Sequence, residues 1–505
     1  MLYVTPIVEA LRGRPRLVFW IAALTQAGLW VLVPSLFYAS PPGDLPLTLA
    51  IGHEWQLGSF YGPPLAYWLA DAAFRLFGGS VVGVYVLAQL CVVATYWAVF
   101  TLGRATVGLA HAALAVLLMA GITAFAQPSP AFGPTVLAMP FTALALLFYW
   151  RALAGSERSW LAMGLMLGLL LLTSYFGWVL LAVMIGFAAA SPDARARLFS
   201  LYPYAGLVIA LLLATPHLYW LSASGVDLLA AGYEMGLIDA VILWTRLIAK
   251  LAFEHAGLLV LVVVAGALFV DRKLAVPVIE RPPLDHFARQ FVYVFAIAPA
   301  MVATVIAALR GQPAPLGGYG ALVVLSGLAV IVAAGDMIRL YRQHAVSWTW
   351  LALLTGPPLI TVVTVVLLPW TVATELTVNE PAAEMGRFFS ETFSRRTGRP
   401  LAIVIGDSHV GGLVALGSPQ RPSLYVDASH ERATWVSDAD VLEKGAIVVW
   451  PVTDAAGAPP AHIRARLPDM VAEVPRAFER PGRLPLLRIG WGMIRPQAEA
   501  RPPAR

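Results

Sequence analysis

Long apolar stretches dominate the first 370 residues of the chain. A helix needs roughly 20 apolar residues to cross about 30 Å of hydrocarbon. Runs of this kind predict membrane spans at 17–38, 80–102, 108–126, 133–150, 202–221, 256–270, 290–309, 317–335 and 348–370. The stretch 160–190 is too long for one span, and an interruption at 174–177 predicts two short helices that enter the membrane and return. The first run is longer than a signal peptide's roughly 7–15 apolar residues, and prolines crowd the possible cleavage site, so we expect a retained span.

The distribution of arginine and lysine predicts the orientation, because cytoplasmic loops carry an excess of positive charge. Fourteen of these residues fall in the loops 1–16, 103–107, 151–159, 191–201, 271–289 and 336–347. The opposite loops hold four: Arg75, Arg246, Lys250 and Arg310. The N-terminus is therefore expected inside, and the residues after 371 outside.

Composition excludes several classes of protein. The chain is 59% hydrophobic and 12% charged, whereas a soluble domain has about 45–50% apolar and about 25% charged residues. A soluble globular enzyme is therefore ruled out. The single cysteine, Cys91, excludes an internal disulfide and a cysteine metal cluster. Dense clusters of carboxylates or histidines are missing from the sequence as well, so we expect neither a metal nor another cofactor, and no basic patch suggests nucleic acid.

The composition changes after residue 371, where charged residues become frequent. Helical spacing of Met385, Phe388, Phe389 and Phe393 predicts a helix over 381–397. Apolar runs predict strands at 401–405, 423–427 and 446–450. The sequence thus predicts a transmembrane domain over 1–370 and a small soluble α/β domain over 371–505, with a frayed end at 492–505.

Two long outside loops, 39–79 and 222–255, are candidates for function because long loops in compact proteins are more often functional than idle. Asp44 stands just beyond the first span, where a carboxylate can serve as a general base; an N-cap for the following helix is the structural alternative. Residues 65–77 predict an amphipathic helix in the interface plane, with Asp71 and Arg75 as an i,i+4 pair opposite its apolar face.

The cations assigned to the outside loops are candidates for binding phosphate, which arginine contacts in bidentate fashion. Arg310 ends a span, and Arg246 and Lys250 are one helical turn apart. Pairing of Arg246 and Lys250 with Glu254 or with lipid headgroups is the alternative.

Four histidine-containing segments have simpler interpretations than catalysis. His53-Glu54 lacks the second histidine of a zinc signature. His217 closes a span, where an aromatic-belt residue bonded to backbone is expected. Two blocks in the tail, at 406–409 and 427–430, are similar to those of GDS-type esterases, but they stand too close together, and a turn after each strand explains both.

Several segments together resemble a known family. Asp44, then the segment 55–58 and the Pro-Pro-Leu element within 61–68, are similar to the first periplasmic loop of bacterial membrane glycosyltransferases. The group is family 39 with its aminoarabinose-transferase relatives, which are related to protein O-mannosyltransferases. The segments 151–153, 173–175, 216–220, Arg310 and 396–400 follow in a similar order, so the resemblance covers nearly the whole chain.

The resemblance implies a mostly α, polytopic bundle of the C-type glycosyltransferase fold in the bacterial inner membrane, with the C-terminal domain periplasmic. Members move a sugar from a polyprenyl-phosphate carrier to a lipid, glycan or protein. By resemblance, Asp44 is the general base, and Arg310, with Arg246 and Lys250, binds the donor phosphate. The donor or acceptor pocket is expected to contain His53, Glu54, Tyr61 and His217.

The sequence departs from the family at three points. Leu45 replaces the second acid of an Asp-Glu pair, Ser174 replaces a hairpin lysine, and Gly133-Pro134 replaces a polar residue. These losses leave open a non-catalytic binder of polyprenyl lipid or glycan. A transporter of lipid-linked sugar is a further alternative, although the spans carry almost no charge, and intramembrane ionisable residues usually mark a transport path.

Overall fold

The structure is a computed structural model, and it describes residues 5–225, 236–266, 277–452, 457–468 and 470–497. The α-helices of its N-terminal part are α1 (Pro6–Gly13), α2 (Pro15–Phe37), α3 (Leu45–His53), α4 (Leu65–Leu76), α5 (Val82–Thr106), α6 (Leu109–Met119), α7 (Pro134–Leu153), α8 (Ser159–Leu171), α9 (Phe176–Ala190), α10 (Pro192–Ala196) and α11 (Tyr202–Ser224). The later helices are α12 (Leu237–Glu254), α13 (Ala256–Gly266), α14 (His286–Leu309), α15 (Gly318–Leu322), α16 (Ser326–Ala333), α17 (Gln343–Thr371), α18 (Ala382–Thr397), α19 (Val410–Gly417), α20 (Asp438–Lys444) and α21 (Ala461–Arg466). The strands are β1 (Val278–Glu280), β2 (Met337–Arg339), β3 (Ile403–Gly406), β4 (Ser423–Val426), β5 (Ala446–Pro451), β6 (Val471–Phe478) and β7 (Leu487–Ile494).

Six helices of the described residues are long and apolar enough to cross a membrane: α2, α5, α7, α11, α14 and α17. Each coincides with a predicted span, and the chain is a multi-pass membrane protein. The predicted interruption of 160–190 is also confirmed, because α8 ends at Leu171 and α9 begins at Phe176.

Three predicted spans differ from single long helices. The run 108–126 forms only the 11-residue α6 and a 3-10 turn at Thr123–Phe125. The run 317–335 is broken into α15 and α16, which are 5 and 8 residues long. In the run 256–270, α13 occupies the first part, and 267–270 lie outside the described residues.

The predicted loop 222–255 contains a helix instead. Residues 237–254 form α12, which meets α13 at a bend of 54°. Its charged residues recur one turn apart, so they leave an apolar face that includes exposed Ile238, Val241 and Ile242. The helix α12 is therefore amphipathic and was missed because it contains no long apolar run. Residues 226–235 of the predicted loop lie outside the described part.

The described chain forms two compact units. The first comprises Met1–Val33, Val84–Tyr219 and Asp227–Thr361, and the second comprises Pro34–Gly83, Trp220–Val226 and Val362–Arg505. The long first loop thus belongs to the same unit as the C-terminal residues. The predicted division at residue 370 stays a prediction based on composition.

In the first unit, two predicted cytoplasmic loops pair with each other. Strands β1 and β2 are antiparallel, with Ile279 opposite Ile338. Arg281, whose side chain is 3% exposed, lies 3.1 Å from the carboxylate of Asp336. The two loops therefore lie at the same end of this unit; the predicted orientation in the membrane stays a prediction.

The second unit contains a five-stranded sheet in the order β4-β3-β5-β7-β6. Strands β4, β3 and β5 are parallel, and β7 is antiparallel to both of its neighbours. Successive strand residues face opposite sides: Val404 packs in a core with α3, α18 and α19, and Ile405 packs in a second core with α20 and α21. The small C-terminal α/β module is confirmed.

Several elements of this unit were not predicted. The helix over 381–397 is confirmed as α18, and the three predicted strands correspond to β3, β4 and β5. The helix α3 lies inside the predicted loop 39–79, and β6 and β7 are additional strands. The frayed end is wrong for 492–494, which belong to β7; residues 498–505 lie outside the described part.

Candidate functional site

Asp44 occupies the N-cap position of α3 but does not act as a cap. Its side chain makes no capping hydrogen bond, and the first turn is held by the backbone bond from Thr48 N–H to the Asp44 carbonyl, 2.9 Å. The residue is exposed, whereas the helix behind it is buried from Leu45 to Gly52. The carboxylate is thus presented at the surface of the second unit by a helix that the core holds fixed.

The position of Asp44 is set by the C-terminal part of the same unit. The backbone N–H groups of Ala39 and Ser40 both donate to the Val378 carbonyl, at 2.8 and 3.0 Å. The Ser40 hydroxyl donates to the Thr377 carbonyl at 2.6 Å. These bonds join the segment that leads into α3 to the segment that leads into α18.

A histidine–glutamate pair lies in the electrostatic neighbourhood of Asp44. His409 Nε2 is 2.9 Å from Glu380 Oε2, with the two side chains 31% and 14% exposed. The hydrogen bond to Glu380 raises the pKa of His409, and burial opposes this; Asp44 is among the charges that raise it. Neither residue was predicted from the sequence as part of the site, although His409 stands in one of the two esterase-like blocks.

Both esterase-like blocks are turns that follow parallel strands, as expected. Asp407 Oδ1 accepts hydrogen bonds from the N–H groups of His409 and Val410, at 3.0 and 2.6 Å, and so caps α19. The second block follows β4, and Asp427 pairs with Arg432. Strands β3 and β4 are parallel, and their last residues, Gly406 and Val426, lie opposite each other. The two turns that follow them therefore lie at the same edge of the sheet.

Tyr61 connects Asp44 with this edge electrostatically. Burial raises the pKa of Tyr61 to about 12, and the charges that act on its hydroxyl are those of Arg432, Asp427 and Asp44. The Tyr61 carbonyl accepts a hydrogen bond from the Tyr67 hydroxyl at 3.2 Å. Asp44 and Tyr61, both selected from the sequence, therefore belong to one electrostatic neighbourhood.

The other two selected residues of the first loop, His53 and Glu54, lie beside a buried ion-pair network. Asp71, with a fully buried side chain, is 2.6 Å from Arg75 Nε and 3.6 Å from Arg421 Nη2. The i,i+4 pair is confirmed, but Asp71 does not lie on an exposed face. Burial lowers the pKa of His53 and raises that of Glu54. Their pocket role stays a prediction.

The selected cations all lie in the first unit. Arg246 and Lys250 are exposed on α12, and Lys250 Nζ lies 5.0 Å from the ring centroid of Tyr319. Tyr319 packs with Leu247, Ala307 and Ala308 in one apolar cluster. Arg310 follows that cluster directly, at the end of α14, so Lys250 and Arg310 flank the packing of α12 on α14.

His217 lies in the same unit and contacts the broken hairpin. Its side chain is 2% exposed, and its Nε2 is 3.0 Å from the Tyr175 hydroxyl. Two segments that the sequence singled out separately, 173–175 and 216–220, thus meet in the structure.

The residues at the three departures from the family have structural roles. Leu45 is fully buried at the first position of α3. Ser174 Oγ accepts a hydrogen bond from Phe176 N–H at 3.2 Å, at the start of α9. Gly133-Pro134 begins α7, with proline at the first helical position. Among the described residues, no group of three or more His, Cys, Asp or Glu is placed to hold a metal.

The chain is similar to known proteins both in part of its sequence and in its fold. Residues 61–220 match the family model of the dolichyl-phosphate-mannose-protein mannosyltransferases. The crystal structure of ArnT from Cupriavidus metallidurans bound to undecaprenyl phosphate has a TM-score of 0.56 at 13% identity, and its apo state has 0.55 at 14%. Each match covers 94% of this chain and 97% of ArnT. An oligosaccharyltransferase from Archaeoglobus fulgidus has 0.45 at 14%, covering 93% of this chain and 73% of that one. No curated protein sequence matches.

The resemblance stated from the sequence is confirmed by the family match and by the fold. The chain is a polytopic helix bundle of the C-type glycosyltransferase kind with a small C-terminal α/β module. At these identities the structural likeness concerns the fold.

Proposed function

We propose that the protein is a membrane glycosyltransferase that moves a sugar from a polyprenyl-phosphate-linked donor to an acceptor hydroxyl on the periplasmic face of a bacterial inner membrane. The family match over residues 61–220 and the shared fold with ArnT support the reaction class. The structure of ArnT with undecaprenyl phosphate bound supports a lipid-phosphate donor. The acceptor class is a lipid, glycan or protein.

The reaction requires three chemical roles. The oxygen of the acceptor hydroxyl attacks the anomeric carbon of the donor sugar, and the bond from that carbon to the phosphate oxygen breaks. The electron pair of this bond leaves with the polyprenyl phosphate. The hydroxyl proton passes to a general base, for which we propose Asp44.

The observation that carries the proposal is the exposed, uncapped carboxylate of Asp44 at the N-terminus of a buried helix. An N-cap aspartate ordinarily accepts a hydrogen bond, with one carboxylate oxygen, from an N–H group in the first turn of its own helix. Here that bond is not made, and the oxygens remain available to an acceptor hydroxyl. The buried residues of α3 fix the direction from which the carboxylate is presented.

For the departing phosphate we propose Arg310, assisted by Lys250 and Arg246. A positively charged group placed where charge develops can supply several kcal/mol of transition-state stabilisation. Lys250 and Arg310 flank the contact of α12 with α14, which supports a common role.

The test is sugar transfer in proteoliposomes that contain the full chain and a radiolabelled polyprenyl-phosphate sugar, with cell-envelope extract as the source of acceptor. We expect Asp44→Asn to lower the transfer rate at least a hundredfold, in the range of general-base catalysis. Arg310→Gln should lower it too, with a raised KM for the donor. Glu384→Gln is the control, because it removes an exposed acid from the first turn of α18 in the same unit.

The same assay separates the alternatives. Donor translocation without transfer would replace the proposal with a transporter, and donor binding without either would replace it with a non-catalytic binder. Transfer that Asp44→Asn leaves at the wild-type rate would refute Asp44 as the base.

A further inference from the structure

A cavity of about 400 Å³ lies at the carboxyl edge of the parallel strands in the second unit. Its lining residues are polar or charged: Asp427, Ser429, Glu431, Arg432, His462 and Arg466. In open α/β sheets, ligands bind in the crevice outside the carboxyl ends of the strands. The sequence pattern of this segment indicates a turn after a strand and no ligand.

An ion pair and a side-chain hydrogen bond hold the cavity wall in place. Asp427 pairs with Arg432, with side chains 25% and 47% exposed, so both retain surface for a ligand. Arg466 Nη1 donates to the Ala428 carbonyl at 2.9 Å. Asp427 and Ala428 have φ of 50° and 52°, a left-handed conformation that is uncommon for residues other than glycine. The Arg466 bond holds this turn in place.

The composition of the wall selects among possible ligands. The two carboxylates and the two guanidinium groups of the wall balance each other in charge, so these four groups do not favour an anion. None of the lining residues is apolar, so the wall offers a hydrocarbon chain only the carbon stems of polar side chains. A hydroxyl both donates and accepts hydrogen bonds, and carboxylates, guanidinium groups and serine together satisfy both roles. A neutral, polyhydroxylated molecule fits this set best.

The cavity is connected electrostatically with the proposed base. Besides burial, which raises it, the charges of Arg432, Asp427 and Asp44 all act on the pKa of Tyr61. All four residues belong to the second unit.

We propose that this cavity binds the glycan part of the acceptor, as a neutral sugar whose hydroxyls contact Asp427 and Arg432. That the bound sugar is the acceptor rests on the proposed function, because the acceptor is a substrate of that same reaction. Free glycans and lipid-carried glycans share this chemistry.

The experiment is binding of soluble neutral methyl glycosides (glucosides, mannosides, galactosides and arabinosides) to the full chain in nanodiscs, measured by saturation-transfer NMR and titration. A hydrogen bond to a charged group corresponds to roughly ten- to a hundredfold in affinity. We therefore expect at least one glycoside to bind, and Arg432→Gln and Asp427→Asn each to weaken it about tenfold or more. Asparagine tolerates the left-handed backbone of position 427, so the second variant preserves the turn.

Lys444→Gln is the matched control. It breaks another exposed carboxylate–cation pair of the same module, with side chains 48% and 33% exposed, that does not line the cavity. Binding should be unchanged in this variant.

The proposal is overturned if no glycoside binds, if both cavity variants bind like the wild type, or if only a phosphorylated sugar such as glucose 6-phosphate binds. Failure of the proposed function is a separate result, namely wild-type transfer by Asp44→Asn.

To separate free from lipid-carried glycan, the glycoside that binds is compared with its octyl derivative. Equal dependence on Arg432 in both supports recognition through the sugar, and loss of that dependence in the octyl form counts against it.

Discussion

Replacing Asp71 by asparagine tests whether the buried ion-pair network holds α4 to the C-terminal module. The Asp71 side chain is fully buried and accepts a hydrogen bond from Trp55 Nε1 at 3.0 Å, besides facing two arginines. Asparagine keeps the volume and can still accept from Trp55, so the substitution removes mainly the charge. Arg421, 18% exposed, then loses the negative charge of Asp71.

The two arginines contribute unequally to the expected cost. Removing one partner of a buried pair costs about 3–5 kcal/mol, but an exposed pair contributes about 0.2–1 kcal/mol. Arg75 is 56% exposed, so its share is small. Arg421 keeps its bond to the Leu49 carbonyl at 3.0 Å and its position 4.5 Å from the Phe74 ring centroid. We expect a net loss of about 3 kcal/mol in the free energy of unfolding of the second unit.

Limited trypsin digestion of the detergent-solubilised chain measures this loss. At low protease the cleavage rate follows the population of the open state, and about 3 kcal/mol corresponds to roughly a hundredfold. Arg75→Gln and Lys444→Gln should each change the rate less than about fivefold, because both break exposed pairs. Cleavage of Asp71→Asn at the wild-type rate would refute the reasoning, since the buried charge would then contribute nothing.

Two further predictions concern the same unit. Gly52→Ala should destabilise it by about 1–3 kcal/mol or more, because a Cβ would lie 2.2 Å from the Tyr67 carbonyl oxygen; digestion at the wild-type rate would contradict this. The raised pKa of His409 predicts a stabilisation that is fully present below about pH 6.5 and lost as pH rises through the folded-state pKa. Thermal unfolding midpoints should fall over that range in the wild type, and His409→Gln should flatten the fall; equal slopes in both proteins would exclude this pair as the cause.

The spans could be predicted because an apolar run of about 20 residues is long enough to cross a membrane and is too apolar to be exposed to water. The segment Leu45–His53 was missed since its apolar run is only nine residues long, and short runs do not distinguish a buried helix from a loop. The strands β6 and β7 were missed because Pro475 and Arg476 interrupt the pattern of the first, and two glycines interrupt that of the second. Periodicity could not show that Asp71 is buried, because its cover includes Arg421, 350 positions later in the chain.

The candidate site was predictable only in part, for the same reason. Asp44 and Tyr61 were found through a resemblance carried by local spacing, which survives in the first loop. Glu380 and His409 pair across 29 positions, and no local pattern of either residue indicates the other. The Gly-Asp-Ser-His block did contain a signal, namely a histidine at the end of a parallel strand, but it becomes informative only once the sheet edge is known.

The arrangement of the second unit gives its C-terminal module a role in forming the site. Asp44 is carried by a helix whose buried face packs against Met385, Phe389 and Leu413 in one core. The chain entering that helix is bonded to a carbonyl 337 positions later, at Thr377. A general base acts only within hydrogen-bond distance of the proton that it removes. The structure around it must therefore hold its carboxylate in one position. The residues that fix it come from after position 371, and the module therefore positions the proposed base as well as forming the proposed acceptor cavity.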